Sequence, residues 1–306
     1  MDKKIAILII ALIVILVSVL FYVIINLTPR GVRDINTGKI YPTIQEAINA
    51  NETLDGHTLL VYPGVYHENV VVNKTLTIEG QDRETTIVES GNSSPIVIIV
   101  SSVSTTIANL TIRGDYFGIY CYGTGCRILG NKVVNCITAA IFIKYSSNVL
   151  VKDNEVSNET LRGIYLYYCL SAIVTDNKID NIVGQKAFEQ WVYGAIDLEN
   201  SKNSTIVNNE LKNSCSGVYF DVNATDSKIY HNNFINNTEP VINMGGKNTT
   251  WDNGYLSGGN YWSNYLTKYP NATENDSSGI WNTPYVIDQE NNDRYPLMAP
   301  YAISTG

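Results

Sequence analysis

Five short strings decide the fold: GNKVVN (130–135), DNEVSN (153–158), DNKIDN (176–181), NNELKN (208–213) and HNNFIN (231–236). Their lead asparagines, Asn131, Asn154, Asn177, Asn209 and Asn232, are spaced 23, 23, 32 and 23 residues apart. A second asparagine follows four positions later each time, at Asn135, Asn158, Asn181, Asn213 and Asn236. Apolar residues keep fixed columns around them. Ile128, Val151, Val174, Ile206 and Ile229 stand three residues before each lead, and Val133, Val156, Ile179, Leu211 and Phe234 two after. Asn-rich low complexity would not hold apolar residues in register, so the period is a structural repeat.

A second block keeps the same frame. GIYCYG, AIFIKYS, GIYLYYC, AIDLENS and GVYFDVN start at Gly118, Ala140, Gly163, Ala195 and Gly217. Their alternation marks strands with one buried face. No helix-length 3.6-residue period intervenes, which excludes a βαβ sheet. A repeating coil of strands that stacks like on like puts equivalent residues about 4.8 Å apart. Stacked asparagines then hydrogen-bond up the column and satisfy the tight turns. The residue after each lead Asn reads Lys132, Glu155, Lys178, Glu210, Asn233. Signs that alternate coil by coil are what a parallel stack favours. The expectation is an all-β, single-stranded right-handed parallel β-helix of about eight coils, a rod roughly 40 Å long, preceded by a transmembrane helix.

A β-helix has open ends that need caps. Thr43 and Glu46 form a capping-box pattern in YPTIQEAINA, with Ile44, Ala47 and Ile48 on one face. A helix over 43–50 is expected to cover the first coil. Trp251, Trp262 and Trp281 suggest an aromatic cap in the tail, 251–306, with the β-helix proper over 41–250.

Residues 5–25, IAILIIALIVILVSVLFYVII, carry no charge and suffice to span about 30 Å of hydrocarbon as a helix. Lys3 and Lys4 precede the run, although Arg30 and Arg33 follow it, and no small-x-small cleavage site closes it. The reading is a cytoplasmic stub over 1–4, an uncleaved signal anchor over 5–25, a linker over 26–40 and a single-pass protein with its β-helix outside the cell. Twelve Asn-x-Ser/Thr sequons, at Asn26, Asn51, Asn73, Asn92, Asn109, Asn158, Asn203, Asn223, Asn236, Asn248, Asn271 and Asn275, agree with a glycosylated outer surface.

A net charge of −8 and 16 % charged residues argue against nucleic acid as a partner, since phosphate binding needs basic patches. Tyrosine outnumbers phenylalanine 21 to 6, which suits half-exposed strand faces. Five cysteines leave at least one unpaired; Cys121 and Cys126 can bridge, or all five can be small core residues.

The front segment TIQEAINA…LLVYPGVYHENVVVNKTLTIEG resembles the entry of pectate-lyase-like β-helices. The coils and the tail TWDNGYLSGGNYWSNY…TPYVIDQENNDRYPL resemble NosD-type β-helix repeat proteins, over roughly residues 40–300. The resemblance implies the fold. It does not choose a function, because the scaffold carries lyases, hydrolases, esterases, adhesins and a periplasmic helper of copper-enzyme maturation. His57, His67, His231, Met1, Met244 and Met298 are scattered and form no soft-ligand copper cluster.

Candidate site residues lie in the second block. One outward column holds Tyr120, Phe142, Tyr165, Asp197 and Tyr219; the next holds Tyr122, Lys144, Tyr167, Glu199 and Asp221. Exposed stacked aromatics suit sugar rings, or serve simply as strand-ladder partners. Asp197, Glu199 and Asp221 are the acidic cluster. Glu199 and Asp221 can hold Ca²⁺, or the three carboxylates can act as acid and base in glycoside cleavage. The 32-residue interval contains an insertion, with Lys186, Glu189 and Trp191, expected to lean over the cluster. In pectate-lyase-like enzymes such a face carries calcium ligands and a basic proton acceptor; here only Lys144 and Lys186 are placed to be that base. Asp153 and Asp176 read as turn formers. ENDSSGIWN (274–282) follows calcium-loop spacing loosely, with Tyr285 where the bidentate Glu belongs. The leading expectation is a non-enzymatic, adhesin-like binder of glycans or neighbouring surface proteins that requires no cofactor. A polysaccharide lyase or hydrolase and a purely structural envelope component are the rivals.

Overall fold

The computed structural model describes residues 9–19, 29–91, 94–187 and 190–303, with residues 187, 190 and 191 described by their backbone. Its body is a parallel β-solenoid of about eight coils, each contributing one short strand to each of three sheets. Sheet A begins with the antiparallel pair Val32–Asp34 and Ile40–Tyr41, then stacks eight parallel strands from Thr58–Val61 to Lys228–Tyr230. Sheet B runs from Gly64–His67 to Tyr261–Trp262, and sheet C from Val70–Val72 to Glu239–Asn243.

The repeat columns hold in register. Ile128, Val151, Val174, Ile206 and Ile229 pair successively in sheet A; Val133, Val156, Ile179, Leu211 and Phe234 do so in sheet B. All ten side chains are buried. The charge column Lys132, Glu155, Lys178, Glu210, Asn233 is a true ladder on the outer face of sheet B.

The lead asparagines form a buried stack at the corner between sheets A and B. Asn154 Oδ1 accepts from the backbone N of Asn131 at 2.9 Å and from its Nδ2 at 3.1 Å. The pattern repeats through Asn177, Asn209 and Asn232 and ends on Asn260. Asp293 accepts the last backbone N–H, from Asn260, at 2.7 Å. The corner turns because the residue before each lead adopts left-handed φ. Asn109, Gly130, Asp153, Asp176, Asn208 and His231 all lie between 53° and 62°, a region that Gly, Asn and Asp enter at least cost. This is the structural role of Asp153 and Asp176. The second asparagines, Asn135 to Asn236, turn the next corner with φ of 51–63°.

At the front, α1 (Ile44–Asn49) buries Ile44, Ala47 and Ile48, and the Thr43 hydroxyl accepts from Glu46 N at 3.1 Å. Glu68 accepts from the backbone of Ile44 and Gln45, so the helix is tied to the first coil. At the rear, Trp262 stacks between Phe234 at 4.3 Å and Tyr285 at 4.1 Å, and Trp251 is buried beside it. All five cysteines are free and buried in the solenoid, so no Cys121–Cys126 bridge forms. Of the expected span 5–25, residues 9–19 are a helical stretch; the rest lies outside the described residues. Among the described residues no helix is long and apolar enough to cross a membrane, so the fold shown is the solenoid alone.

Glu159 occupies a second column of side-chain acceptors, at the corner between sheets B and C. Its Oε2 accepts from Cys136 N at 2.6 Å, as Ser214 and Asn237 do for the coils below. Its Oε1 is buried without a partner, and burial pushes the carboxyl from 4.5 up to about 8. Between those pH values the folded chain holds a proton that the unfolded chain releases, so stability falls as pH rises, by at most ~1.4 kcal/mol per unit. Glu159→Gln should remove that slope and add ~2–3 kcal/mol at pH 8. Urea unfolding at pH 5, 6.5 and 8 reads this directly; parallel curves for the two proteins would exclude it.

Candidate functional site: the outer face of sheet C

Sheet C pairs Tyr120, Phe142, Tyr165, Asp197 and Tyr219 in one column, and Lys144, Tyr167 and Glu199 in the next. The rings interact along the rod axis. Phe142 stacks on Tyr165 at 4.5 Å and 6°, Tyr120 meets Phe142 edge-on at 4.9 Å, and Phe117 flanks both. Toward sheet A the layer opens to solvent. Tyr167 meets Tyr168 at 4.7 Å, and Tyr145 packs against both. Lys144 Nζ lies 5.0 Å above Tyr145 and 5.8 Å above Tyr167, at a distance where an ammonium gains from the ring face.

The expectation of an exposed platform is corrected in its middle. Phe142 and Tyr165 are each only 8 % exposed, because neighbouring rings close over them. The accessible surface is the rim of Tyr122, Tyr145 and Tyr168, 45–61 % exposed, with Tyr120 and Tyr167 half-buried.

The acidic cluster is reorganised by Arg162. Its Nε donates to Asp197 Oδ2 at 3.0 Å and its Nη2 to Glu199 Oε1 at 3.4 Å. Tyr165 OH donates to Glu199 Oε2 at 2.7 Å. The guanidinium is sandwiched, 4.3 Å from the Tyr165 ring and 3.4 Å from that of Tyr193. Asp197 is therefore not on an open groove but fully buried, with Oδ1 unpartnered. Burial pushes its carboxyl well above the usual range, Arg162 opposes this and Glu199 adds to it. Tyr165 is raised by burial and by its bond to Glu199, and Tyr219 is pushed up to about 12 by burial and the two carboxylates.

Arg162 escaped the column reading because alternation is not strict. A Cβ on Gly163 would meet Ala195 O at 2.5 Å and Ile179 Cγ2 at 2.9 Å. Gly163 and Ile164 thus both face inward, and the residue before them turns out. A glycine or alanine heading every block is the signal for this doubled inward step.

Asp221 is not paired with Glu199 in sheet C. Sheet pairing ends at Leu198 with Phe220, and Asp221 Oδ1 accepts from the backbones of Asn200 at 3.0 Å and Asn223 at 3.1 Å. It braces a turn. With both Glu199 oxygens also engaged, the expected Ca²⁺ pair is not assembled. Among the described residues no group of three or more His, Cys, Asp or Glu can hold a metal ion, the tail loop included. There Glu274 accepts from Gly279 N and Asp276 from Tyr255 OH. The insertion is a hairpin, Gln185–Ala187 against Gln190–Val192, in which Lys186 pairs with Trp191. The Trp191 side chain and Glu189 lie outside the described residues. The hairpin's second strand lies against the later strands Ser216–Phe220 and Glu239–Asn243, and Tyr193, just after it, covers the Arg162 guanidinium.

Among the described residues the histidines each meet a different partner. His57 pairs with Asp34 at 2.8 Å, His67 with Glu89 at 3.4 Å, and His231 stacks on Tyr301 and bonds Ser257 O. A separate polar groove of about 640 Å³ follows the corner between sheets A and B, lined by Glu79, Arg83, Asn109, Gly130, Asp153 and Asp176 among others. Its charges largely neutralise one another; Arg83 pairs with Glu155, and Lys152 with Asp153 and Asp176.

A stretch of 109 residues, 35 % of the chain, is 35 % identical to a protein of Methanothermus fervidus described as a cell surface glycoprotein, and spans only 18 % of that protein. Among solved structures the chain is similar to a pectin methylesterase from Yersinia enterocolitica (14 % identity, TM-score 0.41, 62 % of this chain and 71 % of that one). It is also similar to a tailspike protein of Acinetobacter baumannii bacteriophage Fri1 (9 %, 0.39, 73 % and 62 %). Structural likeness that faint carries no argument about activity. Residues 50–267, which contain the asparagine stack and nearly all of the three sheets, match the family described as periplasmic copper-binding protein (NosD), and the chain belongs to that family.

Proposed function

We propose that this chain is a membrane-anchored, extracellular β-helix that binds glycans through the outer face of sheet C and performs no chemistry there. One observation carries the reading: an aromatic layer whose rim, with Tyr122, Tyr145 and Tyr168 exposed and Tyr120 and Tyr167 half-buried, lies beside the Lys144 ammonium. Ring faces pack on the C–H faces of sugars, and an ammonium donates to hydroxyls and acids. The state of the acidic cluster supports a non-catalytic role. Arg162 and Tyr165 hold Glu199, Asp197 is sealed, and Asp221 braces the backbone. A relative described as a cell surface glycoprotein supports the outward location, and the apolar run over 5–25 behind Lys3 and Lys4 supports an anchor.

The family's description names copper. The donors described here do not fit that ion: no group of three or more His, Cys, Asp or Glu converges among the described residues, and all five cysteines are buried in the solenoid. No step is assigned to copper.

The detergent-solubilised full chain should bind one or more members of a glycan array. Tyr145→Ala with Tyr167→Ala should weaken that binding at least tenfold, about 1.4 kcal/mol, with unfolding unchanged. Undiminished affinity would exclude the aromatic rim. Release of sugar products that is lost in Glu199→Gln would replace binding by hydrolysis or lyase chemistry.

A further inference from the structure

We propose that Asn203, Asn223 and Asn248 are N-linked glycan attachment sites, and that their sugars cover the corner between sheets C and A in the later coils while leaving the aromatic rim bare. The inference rests on the outward orientation proposed above. All three head sequons, Asn203-Ser-Thr, Asn223-Ala-Thr and Asn248-Thr-Thr, and all three are exposed. Asn203 and Asn248 share one left-handed corner column, with φ of 53° and 58°, two coils apart with Asp226 between them. That spacing is roughly 10 Å, enough for two separate sugar chains.

The hydrogen bonding leaves room for the bond required. An asparagine amide nitrogen carries two hydrogens. Asn203 Nδ2 donates one to Ser171 Oγ at 2.9 Å, Asn223 Nδ2 one to Asn200 Oδ1 at 2.8 Å, and Asn248 Nδ2 one to Asp226 Oδ1 at 3.2 Å. Each bond runs to the preceding coil, and on these exposed residues the second hydrogen is not claimed by another protein group. Glycosylation replaces that hydrogen. The nitrogen attacks the anomeric carbon of a lipid-linked sugar phosphate supplied by the cell. A C–N bond forms, the C–O bond to phosphate breaks, and the amide proton leaves with the phosphate. The remaining N–H keeps the stacking bond, so the modified corner retains its fold.

Asn109 is the internal contrast. It heads a sequon, but its side chain is half-buried in the wall of the A–B groove, where Nδ2 donates to Glu79 Oε1 at 3.1 Å. A Cβ on Gly130 would already lie 2.6 Å from Asn109 Oδ1, so the crowded groove wall, not the hydrogen-bond count, separates this site from the exposed ones. In the coils that carry Tyr122, Tyr145 and Tyr168 the same C–A corner has no sequon; Asn73, at that corner after Val70–Val72, heads an exposed one nearer the front of the rod.

Peptide mass spectrometry of the full chain, purified from the cells that make it, tests this. Hexose-bearing peptides are expected at Asn203, Asn223 and Asn248, and an unmodified peptide at Asn109. The variants Asn203→Gln, Asn223→Gln and Asn248→Gln should each remove the mass of one sugar chain. Three unmodified sites in a chain that protease reaches on intact cells would overturn the inference and spare the outward orientation. A chain shielded from protease on intact cells would overturn both. Full occupancy of Asn109 in the folded protein would overturn the exposure argument.

Discussion

Asn177→Ala should cost roughly 4–6 kcal/mol of folding stability, as should the loss of any other interior member of the asparagine stack. Its Oδ1 accepts from Asn154 N at 3.0 Å and from Asn154 Nδ2 at 2.9 Å, and its Nδ2 donates to the carbonyls of Val151 and Thr175 and to Asn209 Oδ1, each at 2.9 Å. Asn177 is fully buried, so no water replaces these partners. Alanine strands donors on one coil and acceptors on two. A buried polar group left without a partner costs ~1–3 kcal/mol, and several are orphaned together. Asn177→Asp keeps the acceptor but turns a negative carboxylate toward three oxygens, and should be as damaging above its pKa. The contrast is Asn181→Ala. That residue is exposed, its side chain bonds Asn158, and its φ is 60°, so the change should cost ~1–2 kcal/mol from backbone strain. Guanidinium unfolding separates the cases; equal midpoints for the two alanine variants would show that the stack contributes no more than any surface turn.

The second large effect belongs to Arg162. Arg162→Ala removes the cation that holds Asp197 and Glu199 and the plate between Tyr165 and Tyr193. Breaking a buried ion pair from one side costs ~3–5 kcal/mol, because the remaining charge is buried alone. Asp197, fully buried, is that charge. Its carboxyl is already raised by burial, and without Arg162 it rises further. The folded variant then holds a proton that the unfolded chain releases, so its stability falls as pH rises above the ordinary Asp value of 3.8. The penalty should shrink at pH 5 and grow at pH 8. Arg162→Ala combined with Asp197→Asn should recover most of the loss. A double variant no more stable than Arg162→Ala would place the cost in the lost ring stacking instead.

The two effects differ in how far they can be seen from the chain itself. Asn177 belongs to a column that repeats five times at fixed spacing, and stacking identical coils makes its bonding a consequence of the repeat. Arg162 occurs once. Its place on the face follows from Gly163 having no room for a Cβ beneath Ala195 and Ile179, a contact between coils far apart in sequence. Asp197 and Glu199 were visible as outward carboxylates of one strand. That one is sealed and the other clamped depends on Tyr193, whose φ of 73° carries its ring back over Arg162. Asp221 was visible as the next acid in its column. The end of sheet pairing at Phe220 made it a turn brace.

By itself the sequence determined the coil, its period, its two buried columns, the alternating charge ladder and the asparagine turns, because each is a local pattern that stacking multiplies. Only the tertiary structure decided which aromatics stay exposed, which carboxylates find a cation and which sequons face solvent. Those depend on what a neighbouring coil places within a few ångströms, and the residue that occurs once, Arg162, and the hairpin that breaks the repeat, 185–192, make contacts that no period predicts.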